Sequence, residues 1–249
     1  MKTKAIGRHP DYIPDICNMK IAVVAATSFE WMPIQKQITN LLDLPAEVQV
    51  TFHTTGIGLL ASTYHLTTLS KNLQPDIIIQ AGIAGSFDKN LHIGEVIVVK
   101  QEYSGDLGVI ENAAFIDVFD MRLVQENEFP FNDKALQNPW LNQLNLPHLK
   151  GVTGITVNEI STSSERISVL QQKYNCSTES MEGAALHYVG LQTKTPFIQI
   201  RAISNYVGER DKSKWNIKLA IDELAHSTTK LILLLADARH TLLTHKKPF

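Results

Sequence analysis

Met19-Lys20-Ile21-Ala22-Val23-Val24-Ala25-Ala26-Thr27-Ser28-Phe29-Glu30 is the stretch on which the fold turns. The apolar run 21–26 is too short for a helix and lacks the polar alternation of a half-buried strand, so it reads as a central strand. Upstream, residues 1–18 have no apolar period and carry Gly7, Pro10 and Pro14. They read as an N-terminal extension or mobile arm, with residues 19–249 forming a single domain.

Downstream, strand and helix patterns alternate. Ile34, Ile38, Leu41 and Leu42 recur at helical spacing, with Pro33 expected in the first turn. A strand follows at 48–54, and Gly56-Ile57-Gly58 opens a helix running to about Lys71. Strands are expected at 76–80, 95–99, 151–157 and 197–203. Helices are expected at about 164–173 and 183–192, and a long C-terminal one from near Ser213 is expected to break before residue 245. The segment 104–147 has mixed polarity and reads as a long excursion with short elements. The alternation predicts a three-layer α/β/α domain around a central, mostly parallel mixed sheet. Ligands in such sheets sit beyond the carboxyl ends of the strands, which directs attention to residues 27–30, 55–58, 81–86, 157–160 and 204–208.

Composition narrows the function classes. Apolar residues make up 44% of the 249, enough for a buried core and too many for intrinsic disorder. Charged residues make up 19%, below the usual quarter or so, which leaves room for an oligomer interface. A net charge of −2 carries no nucleic-acid or anionic-membrane footprint. The longest aliphatic run, Leu231 to Ala236, is far short of the ~18 residues of a membrane span. Cys17 and Cys176 make no disulfide framework, and a reducing cytoplasm is the expected compartment. The nine histidines show no metal-binding spacing, so neither metal nor cofactor is expected.

Several residues at the strand ends have two readings. Glu30 is either a general base aimed into the cleft or an acid at a helix start. The Gly56-Ile57-Gly58 turn lets backbone approach a ligand, but it is neither a dinucleotide fingerprint nor a Walker A loop. Ala81-Gly82-Ile83-Ala84-Gly85-Ser86 reads as a small-residue loop that admits a ligand or permits tight packing. Glu182 can accept two sugar hydroxyls, and Met181 can cover a sugar's apolar face, or both are ordinary helix-start residues. The Asn205 amide both donates and accepts, which suits a purine edge. Arg201, inside an apolar strand, reads as a structural arginine, and the charged residues 208–212 as a solvated loop.

Taken together, 19–30, G-I-G (56–58), A-G-I-A-G-S (81–86), S-M-E-G-A-A (180–185) and R-A-I-S-N (201–205) resemble the nucleoside phosphorylase/nucleosidase superfamily in order and spacing. The nucleosidase branch fits best. Its members use a glutamate after the first strand to activate water, the place of Glu30. Phosphorolytic members place arginines where this chain reads A-T-S-F-E and I-I-I-Q-A-G. The resemblance implies an N-glycosidic hydrolase with Glu30 and Asn205 catalytic. It implies substrate contacts from Glu182, Met181, Ala84, Gly85, Val157, Asn158, Ile160 and Ser204.

Nucleosidases acting on methylthioadenosine and S-adenosylhomocysteine have aspartate at the place of Asn205. Asparagine followed by Y-V-G-E-R-D-K-S-K-W-N (206–216) is similar to the futalosine-cleaving members, which release hypoxanthine in the alternative menaquinone pathway. Homodimers or larger homo-oligomers are implied, with Phe115 and Phe119 candidates to complete a partner's site. Arg210 or Lys212 is the candidate to meet the substrate's aryl carboxylate.

Overall fold

The computed structural model describes residues 19–40, 44–112, 114–141, 144, 146 and 149–245. The proposed N-terminal extension, Leu41 and Leu42 lie outside them. Ten strands and five helices follow one another as β1 (Met19–Ala25), α1 (Ser28–Asn40), β2 (Val48–Thr54), α2 (Gly58–Asn72), β3 (Ile77–Ser86), β4 (Val96–Ser104), β5 (Gly108–Glu111), β6 (Ala114–Asp117), β7 (Leu136–Gln137), β8 (Lys150–Thr156), α3 (Ser164–Tyr174), β9 (Thr178–Ser180), α4 (Gly183–Thr193), β10 (Phe197–Tyr206) and α5 (Ile217–His245).

The strand at 21–26 is central, as expected. β1 pairs in parallel with β2 on one side and β3 on the other. Its residues alternate between two cores. Ile21 and Val23 pack with Ile34 and Ile38 of α1 and with Ala220, Ile221 and Leu224 of α5. Ala22 and Val24 pack with Leu66 of α2 and with Ala185, Leu186 and Val189 of α4. Both faces are covered, so the strand is apolar throughout. Each fully buried aliphatic side chain contributes about 1.5–3 kcal/mol.

The sheet is mixed and mostly parallel, as expected, but it is partly closed, which the sequence reading did not foresee. Its order is β10-β4-β8-β9-β3-β1-β2, and β10 also pairs with β3, so five of its strands close on themselves. The β10–β4 and β3–β9 pairs are antiparallel. The three-residue strand β9, which periodicity missed, makes that closure. It is too short to show a period and rests on its pairings with β3 and β8.

Three further expectations are corrected. Residues 81–86 are not a loop: they continue β3 and pair with β10 from Ile200 to Tyr206. Glycine is needed at 82 because the Arg201 guanidinium occupies the space a Cβ would take. α1 begins at Ser28, which puts Pro33 in the second turn. The carbonyl it leaves unpaired belongs to Phe29, an exposed residue within reach of water. α5 runs unbroken from Ile217 to His245, behind a 3₁₀ turn at Lys212–Lys214. No helix among the described residues is long and apolar enough to cross a membrane.

Candidate active site

A cavity of about 360 Å³ opens at the carboxyl ends of β1, β3 and β10. Glu30, Ala84, Gly85, Ile160, Met181, Glu182, Ser204 and Asn205 all line it. Val157 does not: it is fully buried against Ile155, Leu170 and Tyr174. Asn158 does not either, and its Oδ1 accepts the Leu59 N–H outside the cavity. Phe115 packs against the core under α3, and Phe119 lies edge-on to Phe131 at 5.1 Å. Neither reaches the cavity of its own chain. A wider depression of about 930 Å³ over residues 119–128 holds none of the candidate catalytic groups.

Glu30 stands at a helix start and also lines the cavity. It stands three residues after Thr27, and its Oε2 accepts the Thr27 N–H at 3.0 Å and the Thr27 hydroxyl at 3.1 Å. That is the glutamate half of a capping box, which a helix start favours. Its Oε1 faces β3 and accepts the Ile83 N–H at 3.3 Å. The residue is 7% exposed. Burial pushes its carboxyl above the ordinary range, against the opposing pull of the Arg201 guanidinium and the two backbone donors. The result is a carboxylate of raised basicity, fixed in place and facing the cavity.

Arg201 is 2% exposed and donates to Gln80 Oε1 at 2.8 Å. Gln80 in turn donates to the Glu182 backbone carbonyl at 3.3 Å. A Cβ on Gly82 would meet Arg201 Nη1 at 2.0 Å and Glu30 Oε1 at 3.2 Å. Gly82 therefore leaves the room in which the guanidinium passes beside the carboxylate.

Glu182 precedes α4 and is 7% exposed. Its Oε1 accepts the Gly58 N–H at 3.0 Å. Gly58 has φ +83°, a left-handed conformation that glycine adopts without strain. The glycine turn thus aims a backbone amide at a carboxylate of the site. Asn205 is held by its neighbours: Oδ1 accepts the Ser204 hydroxyl at 2.8 Å and Nδ2 donates to the Tyr206 carbonyl at 3.0 Å. One lone pair and one N–H remain for a ligand.

Other lining residues were not singled out by the sequence reading, although Phe29 and Ile57 lie in the strand-end windows it marked. Phe29, Ile57 and Ile217 form exposed apolar rim positions, and Trp215 joins them from the loop before α5. Glu179, from the unrecognised β9, also lines the cavity. A carboxylate two residues before Met181 was the available signal, but a strand of three residues carries no pattern to orient it. The lining carboxylates are Glu30, Glu179, Glu182 and Glu209, and the lining cation is Arg210. Arg210 also lies over the Trp215 ring at 5.9 Å. The side chain of Lys212 lies outside the described residues. No group of three or more His, Cys, Asp or Glu among the described residues has metal-binding geometry. His187 is buried and bonds the Leu136 carbonyl at 2.7 Å, and burial lowers its pKa to about 4.

Comparison with known proteins identifies relatives of the whole domain. A futalosine hydrolase of Thermus thermophilus is 29% identical over 181 residues, 72% of this chain and 79% of the relative. A 5'-methylthioadenosine/S-adenosylhomocysteine nucleosidase of Maridesulfovibrio salexigens is 27% identical over 238 residues, 86% of this chain and 97% of the relative. A solved futalosine hydrolase of Helicobacter pylori superposes with a TM-score of 0.70 at 20% identity, covering 88% of this chain and 98% of the other. Fold and relatives together define an N-glycosidic hydrolase of the nucleosidase class. The family described as Phosphorylase superfamily matches residues 20–238, and the chain belongs to it.

Proposed function

We propose that the chain hydrolyses the N-glycosidic bond of futalosine, releasing hypoxanthine and leaving dehypoxanthine futalosine. One observation carries the reading: Glu30, Glu182 and Asn205 converge on one cavity lined, among the described residues, by four carboxylates and one guanidinium. A phosphate dianion would meet that negative charge at close range, whereas water and a developing ribosyl cation are favoured by it.

Glu30 orients the attacking water and takes its proton as oxygen bonds to C1′. The C1′–N9 bond breaks through an oxocarbenium-like state, and its electrons move onto the purine, which gains a proton from solvent. Glu182 accepts the ribose 2′- and 3′-hydroxyls, and its charge favours the cationic sugar. Met181 covers the sugar face, with Ala84 and Gly85 backbone beside the water and Ile160 walling the base. Ser204 holds Asn205, which accepts from N7–H and donates to O6 of hypoxanthine. Arg210 is the cation placed to meet the aryl carboxylate beyond C5′.

The enzyme acts in the cytoplasm as a homodimer or larger homo-oligomer. Supporting that assembly, Ile57, Leu60 and Tyr64 present one exposed apolar face at the mouth, beside Phe29. Phe115 and Phe119 are then the side chains offered to a partner's site.

A methylthioadenosine/S-adenosylhomocysteine nucleosidase is the second reading, favoured by the Maridesulfovibrio salexigens relative and its 97% coverage. Purified protein incubated with futalosine, inosine and methylthioadenosine, with and without phosphate, separates the readings by chromatography. Hypoxanthine from futalosine without phosphate is expected. Adenine from methylthioadenosine in its place assigns the second reading, and strict phosphate dependence removes Glu30 as water activator.

A further inference from the structure

Glu179 and Glu209 are the lining carboxylates to which the reaction above gives no task, and Glu209 is paired with Lys214 at 2.8 Å, which leaves Glu179. It is 6% exposed, and its Oε1 accepts the Ser161 N–H at 3.0 Å. Its Oε2 is buried with no hydrogen-bond partner. A buried carboxylate oxygen with nothing bonded to it costs stability, and native proteins keep such groups where a ligand completes them. Burial also holds this carboxyl above the ordinary range.

The sheet register says where that oxygen lies relative to the site. Gly85 of β3 pairs with Glu179 of β9 on one side and with Asn205 of β10 on the other. Paired residues on adjacent strands project to the same face. A Cβ on Gly85 would lie 3.4 Å from Asn205 Nδ2, which puts the Asn205 amide on that face. Glu179 and Asn205 therefore flank Gly85, with their backbones two strand spacings, about 10 Å, apart. Gly85 contributes no side chain between them, Val207 Cγ2 is the atom nearest the place of its missing Cβ at 3.0 Å, and both residues line the cavity. The span between the two side chains suits the edge of a planar base hydrogen-bonded at both ends.

We propose that Glu179 selects the base, its free Oε2 accepting the N1–H of a 6-oxopurine while Asn205 holds N7 and O6. The inference rests on the purine-nucleoside reading of this cavity. A 6-oxopurine carries a proton on N1, beside O6. A 6-aminopurine carries a lone pair there, which an ionised carboxylate repels. A hydrogen bond to a charged group amounts to roughly 10- to 100-fold in affinity.

The test is calorimetric binding of free bases to the full chain, which needs no turnover. Wild-type protein is expected to bind hypoxanthine about 10- to 100-fold more tightly than adenine or 1-methylhypoxanthine, which lacks N1–H. Glu179→Gln keeps the acceptor for Ser161 and replaces the free oxygen with a donor. It is expected to lose that factor for hypoxanthine and to gain for adenine, with an unchanged circular dichroism spectrum. The wild-type comparison stands even where the variant fails to fold. Equal wild-type affinity for hypoxanthine and 1-methylhypoxanthine overturns the proposal, as does a folded Glu179→Gln that keeps the hypoxanthine preference. Futalosine hydrolysis with no N1–H dependence sinks this inference alone. Selective hypoxanthine binding lost in Glu179→Gln without futalosine hydrolysis sinks only the substrate assignment. Failure of every base to bind overturns both.

Discussion

Glu30 combines two placements that sequence position leaves as alternatives, a helix start and the wall of the cavity. Its Oε2 closes the helix-start box with Thr27, and its Oε1 faces β3. Glutamine serves the box equally well, so Glu30→Gln is expected to fold normally. Its kcat is expected to drop about 10²–10⁴-fold with substrate binding retained. Single-turnover and binding assays check this, and near wild-type turnover would falsify the water-activating role. The pH profile carries the same information. The base must be ionised, and its carboxyl is raised, so the acid limb of kcat is expected above the ordinary glutamate value of 4.5. A limb at or below 4.5 contradicts that environment. At the other end of the cavity, Asn205→Asp is expected to shift preference toward 6-aminopurine nucleosides, because the carboxyl can deliver a proton to N7. Rate ratios for inosine and adenosine measure the shift.

At the scale of elements, small residues do what the sequence reading left undecided. The run 81–86 reads equally as a loop that admits a ligand or one that permits tight packing, and it is a strand whose glycines make room for Arg201 and Val207. The small residues of α4 work in the same way. A Cβ on Gly190 would stand 2.3 Å from the Phe197 ring of β10. Gly190→Ala is expected to destabilise the fold by about 1–3 kcal/mol through overpacking. Chemical denaturation should read that loss while kcat/KM of the folded protein stays close to wild type, since neither residue lines the cavity. Strong strands and helices were legible because their apolar runs and periods are local. β9 and the hairpin β5–β6 were not, because elements of three or four residues are specified by partners distant in sequence.

For the whole molecule, the closure of the sheet seals a polar group inside. Glu102 of β4 is 1% exposed and accepts from Gln199 Nε2 at 2.7 Å and the Thr156 hydroxyl at 3.1 Å. Burial raises its pKa to about 7, from 4.5. The folded state thus prefers the protonated form. The stability Glu102 contributes is full below pH 4.5 and is lost as pH rises through about 7. The pKa difference corresponds to on the order of 3 kcal/mol. Glu102→Gln, which carries no ionisable proton, is expected to remove that component. Melting temperatures of variant and wild type should diverge in the variant's favour between pH 5 and 8. Parallel pH profiles would place the charge elsewhere.

The sequence by itself determined the α/β class, the central position of β1 and the convergence of Glu30, Met181, Glu182, Ser204 and Asn205 at the strand ends. The class, β1, Glu30, Ser204 and Asn205 follow from local periodicity and from where strands stop, whereas Met181 and Glu182 entered through the family resemblance, because the strand before them carries no period. Only the tertiary structure decided that the sheet closes through β9, that Val157 and Asn158 stay out of the cavity, and that Glu179 enters it. Each depends on strand register, which hydrogen bonds between distant segments set and no local pattern encodes.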